Sequence, residues 1–313
     1  MRFVFVMDPV STVLVDEDTS FSLMLEAQKR GHRVDHCLVP DVALQGGRPL
    51  ATVRRATMKR DPAAPVTLGE AEEVDLHDVD AVFIRKDPPF DEPYHWLTLI
   101  LEPLRGSTLV LNDPRGLREA NEKLYACHFP ELMPKTRVDS DKHRIRAFIR
   151  EVGGSGVIKP VDGHGGEGIF MLRDDDPNFN AHVETVTRGG KRVAMVQEYI
   201  PEVREGDKRI LLIGGEVVGA ILRVPRQDDL RSNIHVGGSV VHADLDDADE
   251  TIVASVRERL AADGLYFVGL DVIGGKLTEV NVTSPTGIQQ MTRLGGKDCE
   301  AQVIGWVEEK VKE

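Results

Sequence analysis

The chain has 313 residues, 41% of them hydrophobic and 29% charged, with a formal net charge of −13. That length asks for about two or three packed units rather than one small core. The basic residues are scattered along an acidic chain, which argues against a nucleic-acid partner, because phosphate-backbone binding needs a concentrated positive surface. Three cysteines, Cys37, Cys127 and Cys299, lie far apart with no CxxC, a pattern of reduced thiols in a cytoplasm rather than of a disulfide framework or zinc site. The first ten residues, MRFVFVMDPV, carry too short an apolar run for a signal peptide, and no run reaches the length of a membrane span. A soluble cytoplasmic protein with no membrane partner is expected.

Residues 2–7 read as a buried strand, 18–30 as an amphipathic helix ended by Gly31, and 33–39 as a second strand, an opening β-α-β unit. A hairpin around Gly46 and Gly47 spans 43–59, and the Pro-, Ala- and Glu-rich stretch 61–73 reads as a surface loop. Strand 81–85 runs into Arg85-Lys86-Asp87-Pro88-Pro89-Phe90-Asp91. The two prolines forbid helix and hold Arg85 and Lys86 at the carboxyl edge of the sheet, where open α/β sheets bind ligands. Two solvated bases on a rigid loop are the plain alternative. A helix over 93–104, a strand over 108–111 and a helix from Pro114 to Phe129 follow. Asn112 or Asp113 caps the last of these, and Lys123 lies on it.

The second half begins with a helix over 139–151 and a strand over 155–161 that ends in Lys159-Pro160. Next comes Asp162-Gly163-His164-Gly165-Gly166-Glu167-Gly168 and a strand over 169–172. Gly163, Gly165 and Gly168 match GxGxxG formally, but a dinucleotide loop opens a helix, and here a strand follows. A glycine loop between two strands has the form of a lid whose backbone N–H groups close over phosphates. After a helix over 178–188, the strand at 193–200 ends in Gln197-Glu198-Tyr199-Ile200, an exit that can present backbone groups to an adenine edge. A hairpin over 210–224 around Gly214 and Gly215 brings Arg209 and Arg223 to its open end, within reach of one anion. The polar stretch 225–238 reads as a mobile functional loop, 247–263 as a structural helix, and 297–312 as a closing helix.

The stretch 265–287, LYFVGLDVIGGKLTEVNVTSPTG, is the most informative. It reads as strand, Gly-Gly turn, strand and polar loop, with Asp271, Glu279 and Asn281 set among residues that favour burial. Buried carboxylates need partners, and magnesium is a hard cation that takes carboxylate and amide oxygens. Glu279 and Asn281 share a strand face. Asp271 joins them only if the turn is odd in length or carries a bulge, which is therefore the expectation. An edge hairpin with solvated acids is the alternative.

Two lysines, a glycine lid, two arginines and an Asp/Glu/Asn set together suit a nucleoside triphosphate and Mg²⁺ held beside a second anionic group. If that group is a carboxylate, cations must neutralise it and the γ-phosphate before attack can occur. Phosphoryl transfer then gives an acyl phosphate for an amine to displace, under a lid that excludes water.

The motifs MDP (7–9), RKDPPFD (85–91), NEKL (121–124), KPVDGHGGEGIF (159–170), GDKR (206–209) and FVGLDVIGGKLTEVNVTSPTG (267–287) run through nearly the whole chain. In them the sequence resembles the bacterial-type glutathione synthetases, which are ATP-grasp carboxylate–amine ligases. The resemblance implies an α/β fold: an N-terminal open α/β (pre-ATP-grasp) domain over 1–121, followed by a two-lobed α+β ATP-grasp domain. Its first lobe, with the lid, covers 122–201, and its second, with the metal site, covers 202–313. ATP and Mg²⁺, or Mn²⁺, are the implied cofactors, and γ-glutamylcysteine and glycine the implied substrates, in a homo-oligomer.

By position, the resemblance assigns phosphate contacts to Lys123, Lys159 and the lid glycines Gly163, Gly165, Gly166 and Gly168. Gln197 to Ile200 would meet adenine, with Asp207 near the nucleoside. Asp271, Glu279 and Asn281 match metal ligands, while Arg209, Arg223 and Lys159 match the reacting centre. Arg85, Asn281, Ser284, Thr286 and Gly287 would serve peptide and glycine recognition. The loop 231–238, RSNIHVGG, departs from the small residues expected there and resembles ligases with other acceptors, which bears on acceptor choice. His235 reads plainly as a solvent-facing loop histidine. The alternatives are an ATP-grasp ligase with another peptide or amino-acid acceptor, and a nucleotide-binding regulator without turnover.

Overall fold

The computed structural model describes residues 1–163, 165–226 and 238–313. Most of the 225–238 loop, with Arg231, Asn233 and His235, and lid residue His164 lie outside the described residues. Strand β1 (Arg2–Met7), helix α1 (Thr19–Lys29) and strand β2 (Arg33–Cys37) form a parallel β-α-β unit. Asp18 starts α1 by accepting from the Phe21 amide at 2.7 Å. Strands β3 (Val42–Gln45) and β4 (Arg48–Met58) make the hairpin.

The stretch expected to be a loop at 61–73 instead supplies most of β5 (Val66–Asp75), antiparallel to β4. Its side chains are mostly exposed on both faces. It therefore lacks the apolar alternation that marks a half-buried strand, and only backbone pairing to β4 declares it. Strand β6 (Ala81–Arg85), helix α2 (Glu92–Leu101) and strand β7 (Leu109–Leu111) complete a first sheet of order β3-β4-β2-β1-β6-β7, with β5 beside β4.

The helix expected over 114–129 also differs. Helix α3 (Pro114–Glu119) stops after six residues, and a 3-10 turn covers only Tyr125–His128. The Asn121 side chain accepts from the amides of Lys123 and Leu124 at 3.1 and 3.0 Å. That local bond competes with the helical ladder and turns the chain. Lys123 thus sits in a turn, not on a helix.

A second, antiparallel sheet has order β10-β9-β11-β8. Strand β8 (Thr136–Asp139), helix α4 (Lys142–Glu151), strands β9 (Ser155–Pro160) and β10 (Phe170–Arg173), helix α5 (Phe179–Val186) and strand β11 (Ala194–Glu198) build it. Its core is a cluster of its own, around Ile145, Ile149, Ile158, Phe179 and Val196.

The third sheet, also antiparallel, has order β14-β13-β12-β15-β16. It contains β12 (Asp207–Ile213), β13 (Glu216–Val224), β14 (Ser239–His242), β15 (Phe267–Ile273) and β16 (Lys276–Asn281), with helices α6 (Asp247–Ala262), α7 (Ile288–Gly295) and α8 (Cys299–Lys310). Two clusters span the first and third sheets together: Val4 and Val82 with Ile210 and Val268, and Phe5 and Phe83 with Leu211 and Phe267. No helix among the described residues is long and apolar enough to cross a membrane.

Asn112 joins these two sheets. Its Nδ2 donates to the carbonyls of Phe267 and Val282 at 2.8 and 2.7 Å, and its Oδ1 accepts from the amides of Tyr266 and Phe267 at 2.8 and 2.7 Å. Only an amide side chain offers two donors and an acceptor in that space. Asn112→Asp turns both donors into an acceptor against two carbonyls, and is expected to cost about 2–4 kcal/mol in urea unfolding, with Asn112→Ala similar or slightly milder.

Candidate active site

The β15–β16 hairpin turns through two residues, Gly274 and Gly275, both at positive φ (54° and 70°). By itself that turn would set Asp271 against Thr278. The register shifts after Asp271, however: Ile273 faces Lys276 and Val272 faces Leu277, but Asp271 faces Glu279. Thr278 is the extra residue of a bulge, and its hydroxyl donates to the Asp271 carbonyl at 3.1 Å. Asp271 is also directly opposite Arg209 on β12. One row across the sheet therefore reads Arg209, Asp271, Glu279, with Asn281 two residues beyond on the same strand.

The row is buried and held by charge. Lys123, Lys159, Asp207, Arg209, Arg223 and Asp271 are each less than a tenth exposed. Arg209 grips both oxygens of Asp271 through Nε and Nη2, the second at 2.9 Å. Arg223 Nη2 lies 2.5 Å from Asp207 Oδ2 and 3.0 Å from Asp271 Oδ2. Lys123 Nζ stands 3.1 Å from Glu279 Oε1, and Lys159 Nζ 3.8 Å from the same oxygen.

Burial pushes the Asp271 carboxyl up, but the two guanidiniums pull it well below the usual carboxylate range. Glu279 is lowered in the same way, burial being outweighed by Lys123 and Lys159. Asp207 is raised to about 6 by burial, with Arg223 opposing and the neighbouring Asp271 charge adding to the rise. Burial lowers the Lys159 ammonium, with Glu279 opposing.

These groups line a cavity of about 750 Å³ between the second and third sheets, a size suited to a nucleotide-scale ligand. The glycine loop joins antiparallel neighbours β9 and β10 and supplies Gly163, Gly165 and Gly166 to the wall; Gly168 stands off it. Gly165 and Gly166 have φ of 61° and 83°, a backbone that glycine adopts without strain. Lys123 Nζ donates to the Gly163 carbonyl, tying the loop to the row. Gln197, Glu198, Tyr199 and Ile200 form another part of the wall, at the exit of β11.

Ser284 and Thr286 reach the wall, and the Ser284 Oγ is buried without a hydrogen-bond partner among the described residues. Gly287 does not reach it; at φ 107° it begins α7. Arg85 is likewise behind the wall. Its Nε donates to Ser20 Oγ and its Nη2 to the Pro285 carbonyl, both at 3.0 Å, so it carries the 284–286 loop from beneath. Burial pushes its guanidinium pKa down.

Sequence reasoning missed Glu122, which lines the cavity beside Lys123. Burial raises its carboxyl, opposed by hydrogen bonds from Thr283. Its one signal was adjacency to Lys123 in NEKL; on an assumed helix, a lone Glu reads as a solvated surface residue.

Asp271, Glu279 and Asn281 present hard oxygens at adjacent positions, a donor set that fits a divalent cation.

Comparison with known proteins places both halves of the chain in one family. The prokaryotic glutathione synthetase N-terminal domain matches residues 1–118, and the prokaryotic glutathione synthetase ATP-grasp domain matches residues 122–296. The chain is 46% identical to the glutathione synthetase of Gloeobacter violaceus, over 99% of this chain and 97% of that protein. It is 43% identical to the glutathione synthetase of Bradyrhizobium diazoefficiens, over 97% and 96% respectively. Among solved structures, a D-cycloserine synthetase superposes with a TM-score of 0.65 at 17% identity, covering 99% of both chains. A RimK domain ATP-grasp protein from Sphaerobacter thermophilus gives 0.62 at 19% identity, over 98% and 99%. These two share the fold, whereas the family models and the close relatives decide membership: the chain belongs to the prokaryotic glutathione synthetase family, an N-terminal domain followed by an ATP-grasp domain.

Proposed function

We propose that the chain is an ATP-dependent ligase that joins γ-glutamylcysteine to glycine through an acyl phosphate, giving glutathione, ADP and phosphate. The observation that carries this reading is the buried row of Arg209, Asp271 and Glu279, flanked by Arg223, Lys123 and Lys159 in one cavity. The N-terminal domain would run over 1–121, the lid-bearing lobe over 122–201 and the metal-bearing lobe over 202–313. Magnesium is the divalent ion of choice, with manganese an acceptable substitute, and the enzyme works in the cytoplasm as a homo-oligomer.

The first barrier is charge repulsion. A peptide carboxylate oxygen must approach the γ-phosphorus of ATP, form a P–O bond, and expel ADP as the bond to the β-phosphate oxygen breaks. Lys123 and Lys159 neutralise phosphate oxygens, while Arg209 and Arg223 face the carboxylate and the transferring group. Asp271, Glu279 and Asn281 would hold the divalent ion, whose positive charge offsets that of the phosphates.

The second step needs a dry site. The glycine amine attacks the acyl carbon, the C–O bond to phosphate breaks, phosphate leaves and the amine loses a proton. Water would destroy the acyl phosphate, so the lid at 162–168 must close before transfer. Gln197 to Ile200 hold the adenine end, Asp207 stands near the nucleoside, and Ser284 and Thr286, backed by Arg85, serve the peptide and glycine.

With purified protein, ATP, Mg²⁺ and γ-glutamylcysteine, phosphate release is expected to depend on glycine and to yield a tripeptide product by mass spectrometry; a panel of other amines should give less. Absence of glycine-dependent release sinks the reading. Glu279→Gln should lower kcat by about 10²-fold or more, since it removes charge from the ion-binding set rather than volume from a core. Its circular dichroism spectrum and its ADP binding without metal should stay close to wild type, and wild-type turnover in this variant would refute the assignment.

A further inference from the structure

Asn121, Glu122 and Lys123 leave the turn after α3 in different directions. Asn121 Nδ2 donates to the Val161 carbonyl at the lid entry, at 2.9 Å, and Lys123 reaches Gly163 and Glu279. Glu122 turns the other way. Its Oε1 accepts from the Thr283 hydroxyl at 2.7 Å and from the amides of Val282 and Thr283 at 3.2 and 3.3 Å. Its backbone carbonyl accepts from the Val280 amide at 2.9 Å.

The sheet order explains why this matters. β16 is the last strand of the third sheet, so among the described residues no strand pairs with its outer edge, which near the hairpin turn is held by the Leu277 amide donating to the Leu132 carbonyl at 2.9 Å. Unpaired edge amides leave a strand free to shift and fray. Residue 122 covers that edge on both sides of Asn281, its carbonyl at Val280 and its carboxylate at Val282 and Thr283. The next residue, Ser284, lines the cavity, with its Oγ buried and without a hydrogen-bond partner among the described residues.

We propose that Glu122 is a positioning residue: its carboxylate, acting as a hydrogen-bond acceptor, clamps the free edge of β16 so that Asn281 and Ser284 are presented to the cavity. In this role it acts through Asn281 and Ser284 rather than on the nucleotide or the transferred group. The role is local to the metal-bearing strand, because the wall at Gln197 to Ile200 lies at the exit of β11 in the second sheet, away from the edge of β16. The inference rests on the ligase reading for its kinetic readout.

The test compares Glu122→Gln, Glu122→Ala, Thr283→Val and the double variant Glu122→Ala/Thr283→Val in the glycine-dependent assay. Gln keeps an acceptor oxygen in the same place, so kcat/KM for glycine should stay within about threefold of wild type. Glu122→Ala should lose about 10- to 100-fold in kcat/KM for glycine and require more Mg²⁺ for half-maximal rate. ADP binding without metal, by calorimetry, should be unchanged. Thr283→Val, which removes the shortest of the bonds and leaves the charge, should show a smaller loss of the same kind, and the double variant should be no worse than Glu122→Ala alone.

A Gln variant as impaired as Ala would mean that the charge itself acts on a ligand, and would overturn the proposal. So would normal kinetics in Glu122→Ala, or in Thr283→Val should the Ala variant fail to bind ADP. An inactive wild type in the same assay would instead strike the ligase reading, while leaving the ADP-binding comparison interpretable.

Discussion

The structure depends on mutual neutralisation inside one cavity. Asp207, Asp271 and Glu279 face Lys123, Lys159, Arg209 and Arg223, nearly all of them withdrawn from water. Any one of these charges buried alone would be too costly to keep. Together they hold one another in a defined geometry and leave the cavity ready for exchange. On the proposed function, incoming phosphates would take over the lysines, leaving Asp271 and Glu279 to hold a divalent ion. A site that must receive a highly charged ligand is thus preformed around its own substitute charges.

That arrangement needs elements from separate units to stay in register. The first and third sheets share two apolar clusters and are stitched by all four hydrogen bonds of Asn112, so they form one packed body. The second sheet, with a cluster of its own, carries the glycine loop, Lys159 and the exit of β11. The turn at 121–123 links the two bodies through Asn121 at the lid entry, Lys123 at Glu279 and Glu122 at the edge of β16. The lobe has its own core but also meets the other body through Met195 of β11, which is buried in the cluster shared by the first and third sheets.

Arg85 and Glu122 illustrate how a side chain can matter without facing the cavity centre. Arg85 supports Pro285 from beneath, and Glu122 clamps Val282 and Thr283 from the side. The loop between them carries Ser284 and Thr286 on the wall. Both are long charged side chains that hydrogen-bond the loop's backbone, Arg85 at the Pro285 carbonyl and Glu122 at the Val282 and Thr283 amides, and charge-assisted bonds of this kind are stronger than neutral ones.

Much was legible in the sequence because it depends on local chemistry. Buried parallel strands such as β1 and β6 announce themselves as continuous apolar runs, the glycine loop by its strand-flanked setting, and the oxygen-bearing hairpin by carboxylates among residues that favour burial. What sequence could not decide was set by partners distant along the chain. β5 is a strand only because β4 lies beside it, and the helix after Pro114 ends early because Asn121 finds two amides and its turn meets the edge of β16. Above all, Gly274 and Gly275 alone would point Asp271 away from Glu279. The bulge at Thr278 turns the row of charges to one face, and a bulge is fixed by how two strands pair within a packed sheet, a tertiary choice that composition and periodicity leave open.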